Sequence, residues 1–119
     1  SRQGSSKIEL PVGAFHTAVR QAAIVTSDES RGVDFTFNEG TLVLSGHAAE
    51  IGQSHIEMPI GYDGASLTIT LDPRYLQDFL KALDASRTFT LDLADGDSAA
   101  VCSTDDGYGY VIMPLARDR

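Results

Sequence analysis

The sequence predicts an α+β fold in which two helices pack on two antiparallel sheets, built from two similar β-α-β-β-β halves. Two segments with the period of a strand contain Met-Pro, namely HIEMPI at 55–60 and YVIMPL at 110–115. Two helical stripes follow a proline each, Pro11 and Pro73, and proline is well tolerated where a helix begins. Two alternating segments run into glycine-containing turns, NEG and ADGD. These repeated features indicate that one structural unit occurs twice in the chain.

Changes of hydrophobic period separate the elements of the first half. After Pro11, apolar residues recur at the spacing of one helical face. The segment 47–54 has no clear period and is predicted to be a loop, whereas the proline in HIEMPIGY favours an edge strand. The helical stripe consists of Val12, Phe15, Val19 and Ala22, and strands are predicted at 7–10, 33–37, 41–45 and 55–62.

The second half repeats this order after the glycine of a DGA turn. Asp72 and Pro73 predict the start of a helix, because aspartate is a favoured N-cap residue and proline is tolerated at the first helical position. The stripe of this helix consists of Leu76, Phe79, Leu80 and Leu83, and strands are predicted at 66–71, 88–93, 98–103 and 110–115.

Nearly constant sequence offsets support an internal duplication. Leu71 lies 61 positions after Leu10, and the same offset relates the two helical stripes. Met113 lies 55 positions after Met58, as small loop deletions would produce. We therefore expect two halves related by a pseudo-twofold axis, each with one helix and one small sheet. Neither half could bury its apolar stripe alone, so they should share a core.

The length of 119 residues suits one domain and is too short for two ordinary ones. We assign residues 1–6 to a linker or to added sequence and residues 7–119 to a single domain, with halves at about 7–62 and 65–115. Because the chain begins with serine, we expect it to be a piece of a longer polypeptide. It shows no signal-peptide pattern and no apolar run near the roughly 20 residues that a membrane-spanning helix needs.

The side chains do not form a recognisable catalytic or metal-binding pattern. His16, His47 and His55 are scattered without metal-ligand spacing, and Cys102 is the only cysteine. No glycine-rich phosphate loop follows a predicted strand. The sequence therefore predicts a protein that is not an enzyme and that has neither a cofactor nor a metal ion.

The formal net charge of −8 argues against a nucleic-acid binder unless the basic residues gather on one face. The duplication places Arg20 of the first helix and Lys81 of the second at equivalent positions, and Arg74 also lies on the exposed side of the second helix. Two interpretations stay open for these residues: an ordinary solvated helix face, or a basic strip that faces phosphates.

Four blocks in order carry a family resemblance. They are AVRQAAIVTSDESRGVDFTF, YDG at 62–64, DPRYLQDFLKAL, and the final YVIMPL. From about Lys7 to Leu115 the chain resembles the C-terminal (third) domain of the bacterial DNA polymerase III beta subunit, the sliding clamp. The resemblance implies the DNA clamp fold and a non-catalytic processivity factor. In that family, three duplicated domains form a subunit, and two subunits close head to tail around duplex DNA with helices lining the hole.

The resemblance also implies three surfaces. Arg20, Arg74 and Lys81 would face DNA, and Ile24 and Val25 would lie at the ring interface. The C-terminal strand would form one wall of an apolar pocket for partner peptides, with the other wall in the preceding domain, and the charged end ARDR departs from the family's usual ending. The residues implied for the pocket are Asp72, Tyr75, Ala99, Val111, Ile112, Met113, Pro114 and Leu115.

The partners implied by the resemblance are duplex DNA, encircled without sequence preference, the polymerase III alpha subunit, the clamp loader and other proteins with a clamp-binding motif. The full-length parent would form a homodimeric ring in the bacterial cytoplasm, associated with the nucleoid and not with a membrane. The alternative is a duplicated β-rich protein-binding module unrelated to DNA replication.

Overall fold

The computed structural model describes residues 4–27, 30–48 and 52–116, and its elements follow the predicted order. Two helices and eight strands lie within these residues, and neither helix is long and apolar enough to cross a membrane. The elements are β1 (Ser6–Pro11), α1 (Val12–Ala23), β2 (Val33–Asn38), β3 (Thr41–Ala48), β4 (Gly52–Pro59), β5 (Leu67–Leu71), α2 (Pro73–Leu80), β6 (Thr88–Leu93), β7 (Ala100–Ser103) and β8 (Gly109–Ile112).

The strands form two antiparallel sheets with the orders β1-β6-β7-β8 and β4-β3-β2-β5. The predicted fold class is therefore confirmed, but the prediction that each half has its own sheet is wrong. The strand before each helix pairs with the other half, so that Leu10 lies opposite Phe89 and Phe35 opposite Ile69. The reason is that each helix carries the chain across from one sheet to the other.

The predicted loop at 47–54 is wrong for most of its length. β3 extends to Ala48 and β4 begins at Gly52, with His47 opposite Gln53, while residues 49–51 lie outside the described residues. The ladder continues because backbone pairing needs no apolar alternation at the exposed end of a hairpin. β4 is an edge strand, as its proline predicted, but it ends at Pro59 and not at residue 62.

The two Met-Pro segments take different conformations. Met58 and Pro59 lie within β4, but β8 ends at Ile112, so Met113 and Pro114 follow the strand. The prediction of a strand to 115 is wrong because the segment leaves its sheet and passes to the other. There the backbone N–H of Leu115 donates to the carbonyl of Thr70 in β5 at 2.8 Å.

The N-termini of the two helices are capped in different ways. Asp72 caps α2 as predicted, with its side chain accepting from the backbone N–H of Arg74, and Pro73 is the first helical residue. α1 has Pro11 as its N-cap, and the N–H of Val12 donates to the carbonyl of Arg87 at 2.9 Å. The prediction for Leu83 is wrong, since α2 ends at Leu80 and Leu83 lies beyond it, partly buried against the core.

A single core joins the two halves. The residues predicted to share it, Phe15, Val19, Leu76 and Leu80, are all at most 1% exposed. The ring of Phe15 lies 6.1 Å from that of Phe35 and 5.5 Å from that of Phe89, so it contacts an aromatic residue of each sheet. The prediction that the halves share one core is confirmed.

Candidate functional site

Large apolar side chains are exposed at the end of the described chain. Val111 is 62% exposed and Met113 is 66% exposed, and Tyr75 in the first turn of α2 is 49% exposed. The backbone hydrogen bond from Leu115 to Thr70 brings this segment beside β5, and β5 leads directly into α2. We call Tyr75, Val111, Met113, Pro114 and Leu115 the C-terminal surface.

Two residues of the predicted pocket lie beneath the surface instead. Ile112 is 2% exposed because successive side chains of β8 point to opposite faces, and its neighbour Val111 takes the outer one. Asp72 is also 2% exposed. Ala99 is partly exposed and precedes Ala100, the residue paired with Ile112. These residues can support the C-terminal surface, but Ile112 and Asp72 offer it little area.

The buried carboxylate of Asp72 is held by Arg74. The guanidinium donates from Nη2 to Oδ2 at 2.7 Å and from Nε to Oδ1 at 3.1 Å. Burial alone would raise the pKa of Asp72, but the hydrogen bonds and charge of Arg74, together with the charge of Arg31, lower that pKa below its ordinary value. Asp72 is therefore ionised at neutral pH and fixes the position of Arg74.

A cavity of about 200 Å³ opens beside this ion pair. Two arginines and one carboxylate supply the charges of its described wall, and two hydroxyl residues complete its polar groups. The lining residues are Thr26, Ser27, Arg31, Asp72, Pro73 and Arg74. The sequence patterns did not single out Arg31, because one arginine in a loop has no periodic signal.

Arg20 and Lys81 are both exposed. Nη2 of Arg20 donates to Oγ1 of Thr17 at 3.4 Å, and Nζ of Lys81 lies 3.2 Å from Oδ1 of Asp78. Partial burial and the charge of Arg20 lower the pKa of His16, so His16 is neutral at neutral pH. Arg20 and Lys81 therefore keep their side chains in solvent, whereas Arg74 lies on Asp72.

The two residues after α1 differ in exposure. Ile24, the C-cap residue, is 74% exposed, whereas Val25 is 7% exposed and belongs to the core. The last turn of α1 is held by Ser54 of β4, whose hydroxyl donates to the carbonyl of Ala22 at 3.0 Å. Ile24 is therefore a single exposed apolar side chain, which is common at protein surfaces, and Val25 is not accessible.

Metal-binding and thiol chemistry find little support. Within residues 4–27, 30–48 and 52–116, no three His, Cys, Asp or Glu side chains lie together in a way that could hold a metal ion. Cys102 is fully buried, and burial raises the pKa of its thiol to about 12. It therefore behaves as a small apolar core residue.

The sequence of the chain is similar to those of bacterial sliding clamps. Residues 2–116 match the family described as DNA polymerase III beta subunit, C-terminal domain. The beta sliding clamp of Chlamydia pneumoniae is 28% identical over 116 residues, covering 97% of this chain and 31% of the relative. That of Streptomyces coelicolor is 29% identical over 113 residues, covering 89% and 30%.

Solved structures have the same fold. The pol III beta structure from Caulobacter crescentus is 26% identical with a TM-score of 0.87, covering 98% of this chain and 32% of that one. The sliding clamp from Bartonella birtlesii, solved bound to griselimycin, is 23% identical with a TM-score of 0.88, covering 97% and 31%. The chain thus spans about a third of the length of these relatives.

Proposed function

The chain belongs to the family formed by the C-terminal domain of the DNA polymerase III beta subunit, and on this premise we propose that it is the third domain of a ring-shaped sliding clamp. Such a ring encircles duplex DNA and tethers the replicative polymerase and other DNA enzymes without catalysing a reaction itself. In this proposal residues 7–119 form the domain, in two duplicated halves at about 7–62 and 65–115. The family match is the observation that disfavours an unrelated β-rich binding module.

We propose that Arg20 and Lys81 face the DNA. The sequence offset of 61 relates them, with Arg20 in the last turn of α1 and Lys81 at the C-cap position just after α2, and both are exposed on a chain of net charge −8. Phosphate contacts by a few cations hold a duplex without reading its sequence, and an acidic exterior keeps DNA from binding elsewhere. The resemblance implied that Arg74 also faces DNA. Its guanidinium is paired with Asp72 instead, and this ion pair reduces the positive charge that Arg74 presents to DNA.

Reversing both charges should weaken retention of the ring on DNA. With Arg20→Glu and Lys81→Glu in the full-length protein, we expect the half-life of the ring on circular DNA to fall by about tenfold at low salt, with a smaller salt dependence. Gel filtration of rings loaded on labelled circular DNA measures this retention. Arg87→Glu is the matched control, since Arg87 pairs with Asp105 at the surface. Equal retention of both proteins would contradict the assignment.

We propose that the C-terminal surface, with Ala99 beside it, is half of a pocket for partner peptides, and that a preceding domain supplies the other half. Exposed apolar side chains of this size are expected to be covered in an assembly. Methionine suits a surface that receives several partners, because its flexible thioether adapts to different shapes. Beneath this surface, Ile112 holds the end of β8 in place and Asp72 holds the start of α2.

Truncating Met113 should weaken peptide binding. For Met113→Ala in the full-length protein we expect a loss of about 1–2 kcal/mol, or roughly 5–30-fold in Kd, because the thioether would no longer contact the peptide anchor. Isothermal titration calorimetry with a peptide from a clamp-binding protein measures it. The twin change Met58→Ala is the control: Met58 is 8% exposed, so it should lower stability and leave peptide affinity unchanged. Unchanged affinity of Met113→Ala would place the pocket elsewhere.

We propose that Ile24 lies at the ring interface, on a loop that Val25 anchors in the core. Changing Ile24 to Asp in the full-length protein would place a charge in an apolar contact, so we expect at least a tenfold weaker dimer, on the scale of important interface residues. Sedimentation velocity measures the dimer fraction. Thr17→Asp, on the exposed side of α1, is the control for added charge. A dimer as stable as the unmodified protein would exclude Ile24 from the interface.

The proposed partners are duplex DNA, the polymerase III alpha subunit, the clamp loader and other proteins with a clamp-binding motif. The proposed location is the bacterial cytoplasm, in association with the nucleoid. The proposal includes no cofactor and no membrane contact.

A further inference from the structure

The two cations that are proposed to face DNA have different neighbours one turn earlier in the chain. Thr17 lies three positions before Arg20, and Asp78 lies three positions before Lys81. The offset of 61 residues that relates Arg20 to Lys81 also relates Thr17 to Asp78. The duplication therefore provides the same pair of positions twice, once with a neutral hydroxyl beside the cation and once with a carboxylate.

Both pairs are in contact at the surface. Nη2 of Arg20 donates to Oγ1 of Thr17 at 3.4 Å, and this neutral partner leaves the positive charge of the guanidinium in place. Nζ of Lys81 lies 3.2 Å from Oδ1 of Asp78, and these two side chains are 69% and 55% exposed. Because the carboxylate lies so close to the ammonium group, the pair attracts a phosphate less strongly than Lys81 would alone.

The other end of α2 shows the same arrangement. Arg74 is paired with Asp72 at 2.7 Å, with its own side chain 59% exposed. Each of these two cations on the α2 side, Lys81 and Arg74, therefore has a carboxylate within 4 Å, whereas Arg20 on α1 lies beside a hydroxyl. The α1 side should consequently attract DNA more strongly than the α2 side.

From this asymmetry we propose that Asp78 is an intramolecular competitor of DNA, whose carboxylate holds Lys81 and gives it up to a phosphate as the ring moves along the duplex. The proposal rests on the proposed function, which places Lys81 opposite DNA. Asp78 acts through Lys81 and does not itself contact the duplex. An exposed ion pair is weak because water and salt screen it, so a phosphate can replace the carboxylate and be replaced by it again.

A hold of this kind suits a ring that must slide. Contacts to phosphates are independent of base sequence and permit movement along DNA, but each long-lived contact slows that movement. An ion pair three residues apart in a helix also supports the helix slightly, and a cation at the C-cap interacts favourably with the helix dipole. The experiments therefore measure movement on DNA, which a role in helix stability alone would not change.

The first experiment measures sliding of the full-length ring. Fluorescently labelled rings are loaded on stretched duplex DNA, and their one-dimensional diffusion coefficient is determined at several salt concentrations. For Asp78→Thr we expect a coefficient about threefold lower at low salt, with the difference shrinking as salt rises, because the released lysines bind phosphates for longer. For Thr17→Asp we expect a higher coefficient. Unchanged sliding of Asp78→Thr would overturn the proposal.

Matched variants separate the local carboxylate from the net charge. Asp78→Glu keeps the carboxylate and should slide like the unmodified ring, and Asp78→Asn should repeat the result of Asp78→Thr if threonine disturbs α2. Asp63→Thr removes the same charge from the exposed loop between β4 and β5 and should leave sliding unchanged. Equal slowing by Asp63→Thr would mean that only the net charge matters, and the role of Asp78 would be overturned.

The second experiment asks whether Asp78 acts through Lys81. Asp78→Thr is added to Lys81→Gln, which has no ammonium group to release. In this background we expect Asp78→Thr to change the diffusion coefficient by less than about 1.5-fold, against about threefold in the original chain, because the effects of contacting residues are coupled. An equal change in both backgrounds would mean that Asp78 repels phosphates directly, which contradicts a competition for Lys81.

The outcomes also separate this inference from the proposed function. If Arg20→Glu with Lys81→Glu speeds sliding but Asp78→Thr does not slow it, the DNA-facing assignment stands and the competitor role is overturned. If the double charge reversal changes neither sliding nor retention, the DNA-facing assignment fails, and the inference drawn from it fails as well.

Discussion

Replacing Phe15 by alanine is expected to lower the free energy of unfolding by about 3–5 kcal/mol, the usual cost of deleting a large buried aromatic side chain. Phe15 is fully buried and contacts Phe35 of one sheet and Phe89 of the other. The cavity left behind would lie where the two halves meet, and the rigid strands around it could not collapse into it. Urea denaturation followed by circular dichroism measures the loss.

Tyr108→Ala is the matched control for this change. Tyr108 stacks on Phe79 at 5.6 Å but is 44% exposed, so its removal should cost about 1 kcal/mol. Because each sheet contains strands of both halves, we expect a single unfolding transition in all three proteins. Two separate transitions, or a loss below about 1 kcal/mol for Phe15→Ala, would contradict a core shared by the halves.

Replacing Asp72 by alanine is expected to cost about 2 kcal/mol of stability at neutral pH. The change removes the N-cap of α2, which contributes about 1 kcal/mol. It also removes the charge-assisted hydrogen bonds between the carboxylate and the guanidinium of Arg74. These hydrogen bonds contribute about 1 kcal/mol and not more, because the side chain of Arg74 is 59% exposed and water screens its charge. Asp84→Ala, which removes an exposed carboxylate bonded to Ser86, should have a smaller effect.

The stability contributed by Asp72 should depend on pH in one direction. Its pKa is lower in the folded chain than the ordinary value of 3.8, so the unfolded chain takes up a proton first as the pH falls. The contribution is therefore fully present above about pH 5 and is lost progressively as the pH falls below 3.8 toward the folded pKa. Urea denaturation of the original chain and of Asp72→Ala across this range should show their difference shrinking. A difference independent of pH would mean that the carboxylate charge contributes nothing.

Local sequence was sufficient to predict the order of the elements and the shared core. The period of the apolar residues placed Phe15, Val19, Leu76 and Leu80 inside, and all four are buried. The Asp-Pro pair predicted the start of α2 at the correct residue. These features depend on a few neighbours along the chain, whose spacing the sequence displays directly.

The candidate site was less predictable, because exposure depends on partners distant in sequence. The family resemblance assigned both Val111 and Ile112 to the pocket. Only the pairing of β8 with β7 shows that Val111 faces outward and Ile112 faces inward. Arg74 had the spacing of an exposed helix residue, but a buried carboxylate two residues earlier holds its guanidinium. Arg31 gave no signal until the fold placed its loop beside Asp72.

The sequence by itself determined that this chain has two copies of one helix-and-strand plan, where its helices begin, and which residues form its core, because hydrophobic period and capping are local properties. Only the tertiary structure decided that the halves exchange strands, since the pairing of Leu10 with Phe89 joins residues far apart in the chain. It also decided that the second Met-Pro leaves its sheet. Proline lacks an N–H to continue a ladder, and the bond from Leu115 to Thr70 offers that segment a partner in the opposite sheet. The same two motifs therefore end as a buried methionine in one half and an exposed one in the other, because their surroundings differ while their sequence does not.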